Sequence, residues 1–284
     1  MPSIPELTPK EIPTWCPSCG NFNIVFALKT ALAELGIPQE QTVLVSGIGC
    51  GSKTPHFLNT YGFEGLHGRG IAVATGIKLV NPNLQVIVTA GDGDTYGIGG
   101  NHFIHTARRN LDIKLIIQDN AVYGLTKGQY SPTTQKGFKS PSSPNGSLEE
   151  PVNPMALAII MGATYVARGF SFEMQHLTKL IKGALQHKGC AVIDVLQSCP
   201  SYNKVNTLQW YRENIFKLED HGHNPADKTA ALARALELED GKLPIGLFYH
   251  ETGKLTYDEQ ATTHAIVHDD IAHVDIKSLI ARAQ

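Results

Sequence analysis

The feature that most constrains the fold of this chain is the alternation of short apolar runs with helical segments. Almost wholly apolar runs at residues 42–45, 84–90, 113–117, 164–167 and 191–196 are separated by stretches with apolar residues at helical spacing. Strands that are buried on both faces and alternate with helices belong to parallel sheets. The sequence therefore predicts an α/β fold of three layers, in which helices cover both faces of a parallel sheet.

The connecting segments are of two kinds. Helices are predicted at residues 20–35, 70–79, 98–110, 154–161 and 172–186. Residues 126–152 interrupt this rhythm with four prolines and many Ser, Thr and Gly, which predicts a long loop. Loops of that length inside a domain are commonly functional or mobile. Residues 200–284 are mixed and weakly periodic.

Composition excludes several classes of protein. Lys and Arg number 24 against 26 Asp and Glu in 284 residues, a balance that does not support nucleic-acid binding or a polybasic membrane surface. No apolar run approaches the roughly 18 residues of a membrane span. The first residues lack the basic-then-apolar pattern of a secretory signal, so a cytoplasmic protein is expected. Five cysteines in such a chain do not indicate a disulfide framework.

Polar clusters follow four of the predicted strands where each strand ends. They are residues 47–51 (GIGCG), residues 91–94 (GDGD), Asn120 and Cys199. Any one of them could be an ordinary turn. Ligands in open parallel sheets bind at the carboxyl ends of the strands, so the four clusters together predict one ligand site.

The Gly-Asp-Gly segment points to a particular chemistry. Glycines let the backbone approach a phosphate, whereas the carboxylate of Asp92 would repel it. A divalent cation between the two resolves the conflict, and Mg²⁺ takes carboxylate and carbonyl oxygens. Asp92 is the natural first ligand, Asn120 can add a side-chain oxygen, and a backbone carbonyl shortly after Asn120 would complete the protein's share.

The cysteines allow several interpretations. The CPSC segment at 16–19 could be a redox pair, half of a zinc site or part of an iron–sulfur site. It follows an extended arm rather than a strand, and Cys50, Cys190 and Cys199 are dispersed along the chain. Four thiolates from three segments could enclose either zinc or a cubane cluster. Cys190 opens a strand at its opposite end and is predicted to be a buried bystander.

The magnesium pattern resembles a known signature. Gly-Asp-Gly, 26 intervening residues and then Asn is similar to the signature of thiamine-diphosphate enzymes. In that signature the Asp, the Asn and a carbonyl two residues later hold the metal. The resemblance implies Mg²⁺ ligation by Asp92, Asn120 and the backbone carbonyl of Val122.

The whole chain resembles the β subunit of 2-oxoacid:ferredoxin oxidoreductases. The matching stretches are residues 15–20 (WCPSCG), 47–51 (GIGCG), 61–70 (YGFEGLHGRG), 91–94 (GDGD), 120–129 (NAVYGLTKGQ), 198–200 (SCP) and 245–249 (IGLFY). The resemblance implies the thiamine-diphosphate-binding fold. It also divides the chain into an N-terminal arm with cluster ligands at 1–19, a thiamine-diphosphate-binding domain at 20–199 and a C-terminal extension at 200–284.

The resemblance implies two sets of site residues. Cys16, Cys19, Cys50 and Cys199 would ligate one [4Fe–4S] cluster. The thiamine diphosphate would be lined by Ile48, Gly49, Cys50, Gly51, His67, Gly93, Asp94, Gly124 and Leu125. His67 could donate a hydrogen bond to the diphosphate or be a turn histidine. Lys127 could pair with a substrate carboxylate or be a solvated loop lysine.

The implied reaction is the oxidative decarboxylation of a 2-oxoacid to acyl-CoA and CO2, with electrons passing through the cluster to ferredoxin. Lys127 stands where some pyruvate-specific relatives have glycine, which favours 2-oxoglutarate over pyruvate or branched-chain 2-oxoacids. The chain matches only the diphosphate half of such a site. An α (or fused γα) subunit is therefore expected to supply the glutamate that activates the cofactor's ring, together with coenzyme A contacts.

Two other functions fit parts of the sequence. One is a non-redox thiamine-diphosphate decarboxylase or carboligase whose cysteines hold structural zinc, which metal analysis would reveal. The other is a non-catalytic electron-transfer or metal-stabilised scaffold subunit whose glycine clusters only make turns. Thiamine diphosphate binding that requires Asp92 would exclude the scaffold.

Overall fold

A central sheet of eight strands is covered by helices on both faces in the computed structural model, which describes residues 2–237, 242–261, 264–270 and 275–283. The strands are β1 (Thr42–Ser46), β2 (Tyr61–Glu64), β3 (Gln85–Gly91), β4 (Lys114–Asp119), β5 (Val122–Tyr123), β6 (Gln129–Tyr130), β7 (Tyr165–Phe170), β8 (Ala191–Leu196), β9 (Ile215–Lys217) and β10 (Leu243–His250). The helices are α1 (Asn21–Leu35), α2 (Gly70–Val80), α3 (Gly100–Arg109), α4 (Pro154–Met161), α5 (Met174–Gln186), α6 (Leu208–Asn214), α7 (Lys228–Leu236), α8 (Tyr257–Ala261) and α9 (Ile276–Ala283). The predicted three-layer α/β architecture is confirmed.

Local sequence explains where several helices begin and end. Helix α1 ends at Gly36, which adopts the left-handed conformation that glycine tolerates best. Helix α4 begins after Asn153, whose side chain accepts a hydrogen bond from the Ala156 N–H, and Pro154 occupies the first helical position. These signals lie at the predicted boundaries, and the five predicted helices and five predicted strands are present within a few residues of them.

The sheet has the strand order β2-β1-β3-β4-β8-β7-β10-β9. All neighbouring pairs are parallel except β10, which runs antiparallel to β7. The five predicted strands, β1, β3, β4, β8 and β7, are all parallel, which confirms the predicted sheet, and the one antiparallel pair involves β10, which was not predicted. Strands β9 and β10 come from the predicted C-terminal extension, and they continue the same sheet.

Two apolar layers hold the helices against the sheet. On one face, strand residues such as Leu44, Ile87 and Ile116 pack against α1 and α5. On the other face, their alternating neighbours such as Val43 and Val88 pack against α2, α3, α4 and α7. Because β1, β3, β4, β7 and β8 are buried along both faces, their sequences are mostly apolar. The charged exceptions inside β7 and β8, Arg168 and Asp194, form a buried ion pair with each other.

Several elements were not predicted, among them β2, β10 and the turn ahead of α3. Strand β2 lies at the sheet edge and all four of its residues are exposed, so it carries no burial pattern. Strand β10 contains Pro244 and Gly246, which weaken the signal of a strand. Residues Gly93–Ile98 form a π-helical turn between β3 and α3, ahead of the predicted helix at 98–110. Within the described residues, no helix is both long and apolar enough to cross a membrane.

Candidate functional site

The clusters predicted at the strand ends meet around Gly124. A Cβ atom placed on this glycine would lie 3.5 Å from the Cys50 sulfur, 3.7 Å from the Cys199 sulfur and 3.7 Å from the side-chain nitrogen of Asn120. Those three residues follow β1, β8 and β4, respectively. The carboxyl edge of the sheet therefore brings the proposed metal ligand Asn120 and two proposed cluster ligands into one site.

Asp92, at the end of β3, is a buried carboxylate with only 1% of its surface exposed. Its Oδ2 atom accepts hydrogen bonds from the hydroxyl of Ser131 and, at 2.8 Å, from that of Thr133. Burial raises the pKa of Asp92 to about 6 despite these two hydrogen bonds. Among the described residues no lysine, arginine or histidine forms an ion pair with it. This carboxylate therefore lacks the positive charge that its burial demands.

Asn120 is fixed by the loop that follows it. Its side-chain oxygen accepts a hydrogen bond of 3.0 Å from the Val122 N–H, and its backbone carbonyl accepts one of 3.0 Å from the Asn203 amide. The side-chain oxygen retains a second lone pair. The same loop contains Ala121 and Lys127 with positive φ angles of 55° and 77°, which is strained backbone for residues with a side chain.

Asp94 anchors the glycine-rich loop after β1. A single oxygen, Oδ1, accepts hydrogen bonds from the Ile48 N–H at 2.9 Å, the Gly68 N–H at 2.8 Å and the Nδ1 atom of His67 at 2.6 Å. A Cβ atom at Gly47 would lie 2.0 Å from the other oxygen, so only glycine fits there. The structure places Asp94 and His67, both predicted cofactor contacts, in contact with each other.

Other glycines leave room for a ligand or for close packing. Gly49 has a φ angle of 145° and nothing within 4 Å of its side-chain position, so the loop presents open backbone there. Gly93 lies against the ring of Tyr123, whose hydroxyl donates a 3.0 Å hydrogen bond to the Gly93 carbonyl. Of the other predicted contacts, Gly51 is buried, whereas Leu125 and Lys127 lie exposed at the rim.

The structure separates four cysteines from the fifth. All five thiols are free. Burial raises the pKa of Cys19 to about 12, the negative charges of Cys50, Cys199 and Cys16 act in the same direction, and the Asn21 N–H opposes them with a hydrogen bond. Cys190 is fully buried beside Lys114, at the opposite end of the sheet. In the parts of the chain that the structure describes, no three His, Cys, Asp or Glu side chains are grouped closely enough to hold a single metal ion.

An aromatic cluster holds the cysteine-bearing arm against the site. The Trp15 indole N–H donates a 2.7 Å hydrogen bond to the Cys50 carbonyl. Its ring packs edge-on against Phe22 and Phe57, with centroid distances of 5.4 and 4.8 Å. Trp15 therefore fastens the arm that carries Cys16 and Cys19 to the backbone of Cys50.

Sequence reasoning missed the groups that support the metal site. Ser131 and Thr133 lie in the long loop of residues 126–152, and Asn203 lies in the segment after β8. Thr133 also contacts a second buried carboxylate, Asp119, at 2.8 Å. The available signal was chemical, since a buried carboxylate requires hydrogen-bond donors and this loop is rich in hydroxyls.

Comparison with known proteins places this geometry in a family. A profile described as "Thiamine pyrophosphate enzyme, C-terminal TPP binding domain" matches residues 42–195. A second profile, which describes the C-terminal part of the pyruvate ferredoxin oxidoreductase beta subunit, matches residues 199–265. The first profile covers β1 to β8, and the second begins at Cys199.

Individual relatives agree with the profiles. The chain is 50% identical over 255 residues to subunit beta of 2-oxoacid:ferredoxin oxidoreductase 1 from Aeropyrum pernix, covering 87% of this chain and 80% of that protein. It is 47% identical to the 2-oxoacid:ferredoxin oxidoreductase subunit beta of a Sulfolobus species, covering 94% and 91%. A solved 2-oxoglutarate:ferredoxin oxidoreductase from Magnetococcus marinus, with 2-oxoglutarate, coenzyme A and succinyl-CoA bound, superimposes with a TM-score of 0.91 at 38% identity, covering 100% of this chain and 96% of that one.

Proposed function

This chain belongs to the β subunits of the 2-oxoacid:ferredoxin oxidoreductases, and we propose that with a partner subunit it converts 2-oxoglutarate, coenzyme A and oxidised ferredoxin into succinyl-CoA, CO2 and reduced ferredoxin. The observation that carries the proposal is the meeting of Asn120 with the sulfurs of Cys50 and Cys199 around Gly124. A decarboxylation site and an electron acceptor need to be adjacent, and this contact supports that arrangement.

The chain's residues fit a magnesium ion and the diphosphate it would hold. Asp92 offers a buried carboxylate without a protein cation, and Asn120 and the Val122 carbonyl offer neutral oxygens. These three groups would hold Mg²⁺. When bound, thiamine diphosphate supplies the chemistry by which a 2-oxoacid loses CO2, and the protein supplies position and electrostatics. The open backbone at Gly49 and the neighbouring Gly51 would face the diphosphate.

The pairing of His67 with Asp94 defines what His67 can do. Its Nδ1 atom lies 2.6 Å from the Asp94 carboxylate, so this nitrogen carries a proton. His67 can donate from Nε2 to a diphosphate only as the doubly protonated imidazolium. The Asp94 carboxylate provides the counter-charge for that form. We therefore assign His67 to diphosphate binding and Asp94 to the support of His67 and the loop at Ile48.

The four neighbouring cysteines fit a [4Fe–4S] cluster. Cys16 and Cys19 come from the arm, Cys50 follows β1 and Cys199 follows β8. The negative charges of Cys16, Cys50 and Cys199 each raise the pKa of Cys19, so the four thiols are neighbours. Four thiolates from the protein are the ligand set of such clusters. Cys16 is exposed, so the proposed cluster would lie near the surface, where a ferredoxin could accept electrons.

Two observations support 2-oxoglutarate as the substrate. Lys127 is exposed at the rim of the site, where its ammonium group could pair with a distal carboxylate. Relatives at 45% and 41% identity are named 2-oxoglutarate oxidoreductase subunit KorB, from Mycobacterium tuberculosis, and 2-oxoglutarate synthase subunit KorB, from Archaeoglobus fulgidus. The Magnetococcus marinus enzyme was solved with coenzyme A as well, which supports coenzyme A as the acyl acceptor.

A partner subunit is part of the proposal. The relatives are named as beta subunits, and we propose that an α (or fused γα) subunit supplies the glutamate for the cofactor's ring and the coenzyme A contacts. Purified alone, the chain is expected to show no oxidoreductase activity. We also propose a cytoplasmic location, where thiols remain reduced and available to a cluster.

The test is anaerobic purification of the chain with its partner subunit, followed by analysis of iron, zinc and thiamine and by assays with several 2-oxoacids. We expect about four iron atoms per chain, bound thiamine diphosphate, and ferredoxin reduction that is fastest with 2-oxoglutarate. Zinc in place of iron, or decarboxylation without electron transfer, would indicate the non-redox enzyme instead. Activity of the lone chain would contradict the need for the partner.

A further inference from the structure

A layer of buried polar side chains crosses the carboxyl end of the sheet on the face that α1 and α5 cover. On the α1/α5 face, the apolar residues of five strands give way to polar ones at the carboxyl end. Along β1, for example, Leu44 is followed on the same face by Ser46, and along β8 Val195 is followed by Gln197. Five members lie on a strand or at the first position after one, and we call them the strand members: Ser46, Thr89, Gln118, Ser171 and Gln197.

These side chains are buried without sufficient hydrogen-bond partners. Each of the five strand members is at most 1% exposed and has at least one side-chain nitrogen or oxygen with no partner among the described residues. Two residues of the covering elements share this property, Asn21 at the start of α1 and Ser52 after Cys50. Both polar atoms of Asn21 and both of Gln197 are unpaired. Unpaired buried amides are strongly unfavourable, so a bound group or water is required to satisfy them.

Members of the layer flank three of the four proposed cluster ligands in the sequence. Asn21, Ser52 and Gln197 each stand two positions from a cysteine, namely Cys19, Cys50 and Cys199. A Cβ atom on Gly20, next to Cys19, would lie 2.8 Å from the Gln197 side-chain oxygen. The Asn21 backbone N–H is close enough to the Cys19 sulfur to oppose the rise in the pKa of that thiol. The two residues of the layer whose amide atoms are all unpaired are therefore within two positions of proposed cluster ligands, and one of them, Gln197, packs beside Gly20.

We propose that the side-chain amides of Asn21 and Gln197 donate hydrogen bonds to the sulfur shell of the [4Fe–4S] cluster and thereby raise its reduction potential. The inference rests on the cluster of the proposed function. One-electron reduction adds negative charge to the cluster, and N–H donors stabilise that charge more in the reduced than in the oxidised form. Asn21 and Gln197 are thus positioning residues for electron transfer, since they act through the cluster's potential.

The test uses Gln197→Met and Asn21→Leu, which remove the donors and keep similar volumes. Each variant is purified anaerobically with the partner subunit, and its cluster is titrated potentiometrically with detection by electron paramagnetic resonance. Loss of one donor is expected to shift the one-electron reduction equilibrium about tenfold, a potential lower by about 59 mV. Should Asn21→Leu fail to fold, because Asn21 opens α1, Gln197→Met still decides the question.

Thr89→Val is the matched control. Thr89 belongs to the same buried layer and also has an unpaired hydroxyl, but it lies on β3 and does not flank a cysteine. Its replacement is expected to leave the potential unchanged. If the amides bind only water, Gln197→Met will behave like Thr89→Val, and the inference is overturned. A wild-type complex that binds no iron overturns the cluster and the inference together, whereas an iron-loaded complex with an unmoved potential in Gln197→Met overturns the inference alone.

Discussion

The two ends of the central sheet bury carboxylates in opposite ways. At the amino end, Asp112 forms ion pairs with Lys114 and, at 2.8 Å, with Lys78. Burial alone would raise the pKa of Asp112, but the two ammonium groups outweigh it and hold the pKa well below its usual range. At the carboxyl end, the side chain of Asp92 accepts hydrogen bonds from two hydroxyl groups, and burial raises its pKa to about 6.

This difference separates a structural group of ion pairs at one end of the sheet from a candidate ligand site at the other. The Asp112 cluster contains its own cations and is complete as folded, with Lys114 also donating to the carbonyls of His187 and Gly189. Asp92 and Asp119, which both contact the hydroxyl of Thr133, form no ion pair with a cation among the described residues. Asp119 is buried like Asp92, and burial raises its pKa. A buried carboxylate without a protein partner is a site that an external cation completes.

The largest expected effect is on stability, at the amino end. Asp112→Asn leaves Lys78 and Lys114 buried without their counter-charge, so it should lower the free energy of unfolding by about 3–5 kcal/mol. Urea denaturation of the cofactor-free chain measures this. Asp220→Asn, at an exposed position, is the control and should change stability by less than about 0.5 kcal/mol. A small effect of Asp112→Asn would mean that the two ends of the sheet do not differ as described.

The next effect is on cofactor binding, at the carboxyl end. Asp92→Asn should weaken magnesium-dependent thiamine diphosphate binding by more than about 100-fold, beyond the loss typical of residues that only support a metal ligand. The same change should leave the cofactor-free chain as stable as before, because it removes an unpaired buried charge. Isothermal titration calorimetry and thermal melts measure the two quantities. Normal cofactor binding by this variant would refute the assignment of Asp92 to the metal.

The contributions of the two buried carboxylates to folding stability should change with pH in opposite directions, and magnesium affinity should depend on pH as well. Asp92 must be ionised to bind Mg²⁺, so apparent affinity should fall about tenfold per pH unit below about pH 6. In the cofactor-free chain, the raised pKa of Asp92 favours folding at low pH, and this contribution is lost as pH rises through about 6. The lowered pKa of Asp112 contributes stability above the ordinary aspartate pKa, which is lost on acidification. Magnesium titrations between pH 5 and 8 test the first statement, and a flat profile would contradict it.

The smallest expected effect concerns the exposed rim. Lys127→Ala should raise the KM for 2-oxoglutarate about fivefold, the loss of roughly 1 kcal/mol expected for an exposed charge pair, with less effect on pyruvate. Steady-state assays of the complex with both substrates measure it. Lys204→Ala, an exposed lysine after Cys199, serves as a control for loss of charge. An equal change in KM for both substrates would show that Lys127 does not select 2-oxoglutarate over pyruvate.

The sequence was informative where local pattern and physical cause coincide. Strands buried on both faces need mostly apolar sequences, so β1, β3, β4 and β8 could be predicted. The positions of Asp92 and Asn120 at the carboxyl ends of β3 and β4 followed from that prediction. Strand β2 is exposed at an edge and leaves no such pattern. Ser131, Thr133 and Asn203 reach the site from distant loops, which only tertiary structure brings near Asp92 and Asn120.

The antiparallel pairing of β10 with β7 has a consequence for synthesis on the ribosome. One edge of β7 forms backbone hydrogen bonds with β8, which follows it closely in the sequence. The other edge pairs with β10, residues 243–250, which are synthesised later. Until then β7 presents unpaired backbone groups, the template on which nascent chains aggregate. Translation speed and chaperone protection between the synthesis of β8 and that of β10 should therefore affect the yield of this subunit.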